Sequence, residues 1–86
     1  MSQTAKAGVA LFDELVLATG IDRMVAPFTV RRLLMRVGVF RVEALKSEDV
    51  ERVRPHLATE LVKYLDPGEH RSAMARIDAL VAAMRA

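Results

Sequence analysis

Two histidines, eleven carboxylates and thirteen Lys and Arg residues make up most of the reactive side chains of this 86-residue chain. His56 and Glu60 stand four apart, a helical spacing that offers two metal ligands. No third ligand follows at helical spacing, and a surface His–Glu pair accounts for the two. Asp66, Glu69 and His70 gather where a helix must begin, so capping explains both acids. Ser2, Ser47 and Ser72 lack an adjacent His–acid arrangement, as nucleophilic catalysis would need. Gly8, Gly20, Gly38 and Gly68 are isolated, so no glycine-rich phosphate loop exists. Cys is absent, which removes thiolate zinc sites, thiol nucleophiles and disulfides. A non-enzymatic chain with no metal and no cofactor is therefore expected.

The charges are more telling by place than by total. The net charge is only +2, yet residues 23–46 hold six basic groups (Arg23, Arg31, Arg32, Arg36, Arg41 and Lys46) against Glu43 alone, giving +5. The remaining residues hold seven basic and ten acidic groups, giving −3. Arginines pair with phosphate oxygens in bidentate fashion, which makes these six the candidate nucleic-acid contacts. The competing explanation pairs them with Glu48, Asp49, Glu51 and other acids of the flanking helices.

Hydrophobic spacing supplies the elements that position these groups. The 45 apolar residues are mostly Ala, Val and Leu, with three Phe, one Tyr and no Trp, a composition suited to helix-on-helix packing. Residues 3–19 read as a first helix capped by Ser2 or Thr4 and ended by Gly20 in a left-handed conformation. Its stripe is Val9, Phe12, Val16 and Thr19, widened by Ala5, Leu11, Leu15 and Ala18. Leu15 to Ala18 is apolar all round, so Leu17 must be covered by the rest of the chain or by a second subunit.

A linker over 21–26, with a turn capped by Asp22, leads to a second helix from Pro27 to Val37 ended by Gly38. Residues 39–45 read as an extended or turn-like link. A third helix starts at the Ser47 cap and keeps phase through Val50, Val53, Leu57, Leu61, Tyr64 and Leu65, bent or split at Pro55. Asp66, Pro67 and Glu69 open a last helix running to about residue 84, with Ala73, Met74, Ile77, Leu80, Val81 and Met84 inward. The expected fold is all-α: a single domain, 1–86, of four main helices, or five if the third splits.

On the second helix, burying Val30, Leu33, Leu34 and Val37 turns Phe28, Arg31, Arg32 and Met35 outward at 100° per residue. Phe, Met and Arg are the types that contact surfaces favour, so these four with Leu17 form the candidate protein interface. Arg32 and Arg36 both point away from the buried stripe, so reversing them to Glu should leave the fold intact.

Arg32-Leu33-Leu34 followed by Gly38-Val39 and Arg41-Val42 resembles the first helix and loop of archaeal-type histones over about a dozen residues. Pro55 falls where that family has one long unbroken helix, and its basic second loop is missing. The stretch from Arg31 to Val53, with Gly38-Val39, Val42-Glu43-Ala44-Leu45 and Ser47-Glu48-Asp49-Val50, is loosely similar to helix-hairpin-helix DNA modules, without their phosphate-gripping glycine hairpin. Both resemblances imply DNA binding, in the same direction as the basic segment.

No apolar run reaches the roughly 20 residues that span a bilayer, and no basic-then-apolar leader opens the chain. Ten Arg against three Lys, with the Ala content, suggests a GC-rich bacterial genome. A cytoplasmic protein without membrane contact is expected. Its core, poor in aromatics, predicts marginal stability alone and a homo-oligomer, most simply a dimer. The functional expectation is a regulatory or scaffolding module that self-associates and docks on a partner protein. The alternative is a small DNA-binding protein using Arg23–Lys46.

Overall fold

In the computed structural model, which describes the backbone of residues 2–85 and side chains from 7 to 85, the chain is an all-α bundle. Its elements are α1 (Ser2–Thr19), α2 (Ala26–Arg36), a single 3-10 turn (Val42–Ala44), α3 (Ser47–Leu61) and α4 (Pro67–Arg85). The caps expected at Ser2 or Thr4, and the place of Ala5 in the stripe, lie outside the described side chains. Among the described residues no helix is long and apolar enough to cross a membrane.

One apolar cluster draws on every helix. Leu11 and Leu15 of α1 meet Val30, Leu33 and Leu34 of α2, Val53, Leu57 and Leu61 of α3, and Ala73 and Ile77 of α4. No aromatic ring is fully buried: Phe12 is half-buried, and Phe28, Phe40 and Tyr64 are exposed. The interior is therefore built from Leu, Val and Ala, with Ile77 and Met74.

Four expectations need correction. Leu11, Leu15 and Ala18 of α1 are buried, as is Thr19 of the expected stripe, while Val9 is exposed and Phe12 and Val16 are only half-buried. The stripe is rotated because Gly8, one turn before Leu11 and Phe12, is itself buried under the 3-10 turn. A Cβ at Gly8 would collide with the carbonyl oxygens of Glu43 and Val42, the latter 2.6 Å away. The missing side chain thus lets a backbone-to-backbone contact form. The third helix ends at Leu61, so Tyr64 leaves the inward phase and is exposed. Met84, near the end of α4, is exposed as well.

Ser47 is not the cap of α3 but its first helical residue. Lys46 precedes the helix in extended conformation, and its amide donates to Asp49 Oδ2 at 3.0 Å. A lysine side chain has no acceptor, so only the acid half of a capping box operates. The helix then runs unbroken through Pro55. Pro55 is exposed, so the carbonyl that it leaves without an amide partner lies on the solvent side, where the loss is cheapest.

Helix starts and stops elsewhere follow the sequence. Gly20 and Gly38 take φ of 71° and 90°. After α2 the Gly38 amide donates to Met35 and the Val39 amide to Leu34, a Schellman ending that buries Val39. Asp22 Oδ1 accepts from the Met24 amide at 2.7 Å, making the turn that feeds α2. At α4 the box is reciprocal: Glu69 N donates to Asp66 Oδ1 at 2.8 Å, and Asp66 N to Glu69 Oε1 at 3.1 Å.

The ends of α1, α2 and α3 share a second device. Each leaves carbonyls without helical partners, and in each case a side chain from another helix donates to one of them. Arg76 Nε of α4 reaches Ala18 O of α1 at 3.1 Å. Arg52 Nη1 of α3 reaches Val37 O beyond α2 at 2.7 Å. His70 Nε2 of α4 reaches Ala58 O of α3 at 2.7 Å, and because a carbonyl only accepts, that nitrogen carries the proton. These contacts tie helix ends to helix flanks, which fixes how α2 is presented.

Candidate interaction surface

Helix α2 is amphipathic in a way that leaves one face unaccounted for. Ala26, Thr29, Val30, Leu33 and Leu34 are buried. On the opposite face Phe28 is 75% exposed, and Arg31, Arg32 and Met35 are exposed beside it. The structure therefore brings four of the five candidate interface residues onto one helix face. It adds Met24, 80% exposed in the turn before α2, which the sequence reading missed. Leu17 belongs elsewhere. It is 62% exposed on α1 and lines an open groove between α1 and α4 with Glu14, Ala18, Arg76, Ala79, Leu80 and Ala83.

The six basic candidates divide by role. Arg32 is committed internally, its Nη2 lying 2.8 Å from Glu60 Oε2. Glu60 is buried on α3 and is also approached by Lys63 Nζ at 3.3 Å. Burial pushes the Glu60 carboxyl up, but the hydrogen bonds from Arg32 and Lys63 outweigh it, and the group titrates below the usual Glu range. Reversing Arg32 would set a second carboxylate against this buried one. The expectation that Arg32 can be reversed without harm to the fold is thus overturned.

Arg23, Arg31, Arg36, Arg41 and Lys46 make no ion pair among the described residues. The acids expected to neutralise them are engaged otherwise. Asp49 pairs with Arg52, Glu51 pairs with Arg85 at 3.0 Å, and Glu48 Oε1 accepts from Ser47 Oγ at 3.4 Å. Arg41 and Lys46 line a second open groove with Gly38, Phe40 and Ala44, and Phe40 is 70% exposed there. Its place in the alternating Val39–Val42 stretch was the available signal: Val39 points in, so Phe40 points out.

Several of the reactive residues are held in structural contacts. Glu60 turns to Arg32 and Lys63 instead of making a site with His56, which is exposed. Asp66 and Glu69 cap α4 while His70 caps α3. Among the described residues no three His, Asp or Glu side chains converge as a metal site would require. Asp78 on α4 is bound side-on by Arg54 of α3, which holds its carboxyl below the usual Asp range. Comparison with protein-family models, with curated proteins and with solved structures finds no match.

Proposed function

We propose that this chain is a non-enzymatic interaction module that associates with itself and docks on a partner protein through the outer face of α2, in a regulatory or scaffolding role. The observation that carries this reading is the exposure of Phe28 between Met24, Arg31 and Met35, on a helix whose other face is fully buried. Aromatic, Met and Arg side chains are enriched at contact surfaces. Covering them gains about 25 cal/mol per Å² of apolar area, which matters to a bundle whose interior holds no buried ring.

The test is the mass of the full chain across a concentration series by sedimentation. Phe28→Ala should weaken assembly by roughly 1–4 kcal/mol, as truncating a buried anchor does. The loss should change little with salt, because apolar burial is not screened. A wild-type mass of one copy at high micromolar concentration, with no protein bound at α2, would sink the reading.

A second reading, a small DNA-binding protein using residues 23–46, is favoured by the groove in which Phe40 stands exposed with Arg41 and Lys46. A ring beside cations suits a stacked base and its phosphate. That reading requires affinity for duplex or single-stranded DNA that falls steeply with salt. It also requires that Arg31→Glu/Arg36→Glu removes the affinity while Phe28→Ala spares it.

A further inference from the structure

The outer faces of α1 and α2 are opposite in charge and alike in apolar character. On α1, Asp13, Glu14 and Leu17 are exposed, and neither carboxylate makes an ion pair among the described residues. On α2, Phe28, Arg31 and Met35 are exposed, and Arg31 is likewise unpaired. On each helix the charged residue and the apolar one are three apart, so they share a face: Glu14 with Leu17, and Phe28 with Arg31. The α1 face opens onto a hollow of about 380 Å³ whose floor is short because Ala79 and Ala83 stand where larger side chains would fill it.

We propose that α2 of one copy docks on the α1/α4 groove of a second copy, with Phe28 and Met35 against Leu17 and Leu80 and Arg31 beside Glu14. The proposal rests on the reading of α2 as the docking face and names what that face meets. Charge decides against the simplest alternative. Packing α2 on α2 across a two-fold axis would bring Arg31 and Arg36 of both copies together, whereas packing α2 on α1 sets Arg31 against the free carboxylates of Asp13 and Glu14. Arg76, the cation that also lines the groove, is turned to the Ala18 carbonyl. The arrangement proposed is the two-fold one, in which both faces of each copy are engaged at once, so that the contact is made twice and the assembly closes as a dimer instead of extending head to tail.

Charge swapping tests this on the full chain, with mass measured by sedimentation equilibrium near 0.15 M salt. Wild type should be a dimer, and Glu14→Arg and Arg31→Glu should each raise the dimer dissociation constant at least tenfold. Circular dichroism should show both variants folded, since neither residue has an internal ion-pair partner. Mixing the two variants should restore the dimer, because both contacts in the mixed pair then oppose unlike charges. If Phe28→Ala dissociates the dimer while Glu14→Arg leaves it intact, α2 docks elsewhere. The groove is then the wrong partner although the α2 reading stands. A mixture that stays monomeric overturns the pairing, and a monomeric wild type overturns it together with the self-association it rests on.

Discussion

The Arg76 guanidinium donates from Nε to the Ala18 carbonyl, 3.1 Å away and 58 residues earlier in the chain. It sets a full positive charge at the C-terminus of α1, where the helix dipole is negative and the last turn carries no basic residue of its own. Gly20 makes this approach open, since a Cβ there would lie 2.8 Å from Arg76 Nη2. The bond therefore both closes a helix end and fixes α4 along α1.

Arg76→Ala should accordingly lower stability by about 1–2 kcal/mol, the cost of leaving a carbonyl unpaired and removing a favourable charge from a helix end. Arg76→Lys should recover part of it, because an ammonium keeps the charge without the planar fork. Urea denaturation of the three proteins measures this. Equal midpoints for wild type and Arg76→Ala would show that the contact adds nothing to folding.

Gly8→Ala sets two effects against each other. Alanine in a helix interior is favoured over glycine by about 1 kcal/mol. Here the new Cβ meets backbone carbonyls of Val42 and Glu43, which can move only if the whole 3-10 turn moves. Overpacking of that kind costs roughly 1–3 kcal/mol, so the variant should be less stable than wild type despite the better helix former. A higher denaturation midpoint for Gly8→Ala would mean that α1 does not carry the turn.

Apart from the two ends of α3, the helix starts and stops were legible in the sequence because they are local. The Asp66–Glu69 box, the turn at Asp22, and the left-handed Gly20 and Gly38 each depend on a few neighbouring residues. The buried stripe of α1 was read one step out of place because it depends on Gly8 meeting a turn over thirty residues away. Likewise Arg32 looked free, since its partner Glu60 belongs to another helix and the spacing along α3 paired Glu60 with His56 instead. The exposed face of α2 was legible from helical phase alone. The acidic face of α1 was not, because its meaning lies in the contrast with α2.

Two carboxylates should govern the response to acid. Glu60, held by Arg32 and Lys63 against the effect of burial, and Asp78, held by Arg54, both titrate lower in the folded chain than ordinary Glu and Asp do. Their contribution is present above the unfolded-state values of about 4 and is lost as pH falls through the depressed folded values. Stability should thus be flat from neutral pH down to about pH 5 and decline below it. The Glu60→Gln/Asp78→Asn variant should be less stable at pH 7 and lose less on acidification. Parallel pH profiles for the two proteins would refute this assignment.

Arg32 and Arg31 are neighbours in sequence with opposite expected behaviour. Arg32 is half-exposed but its partner Glu60 is buried, so Arg32→Glu removes the partner of a buried charge and adds a like charge at the same place. Breaking a buried pair costs roughly 3–5 kcal/mol, and the exposure of Arg32 and the nearby Lys63 reduce that to about 2 kcal/mol. Arg31→Glu touches no internal ion pair and should change stability by no more than about 0.5 kcal/mol. Thermal melts at low protein concentration, where assembly does not contribute, separate the two. Arg32→Glu should melt well below wild type, and Arg32→Glu/Glu60→Lys should regain part of the loss by restoring unlike charges. Equal melting of Arg31→Glu and Arg32→Glu would remove the Arg32–Glu60 pair from any account of what holds α2 on α3.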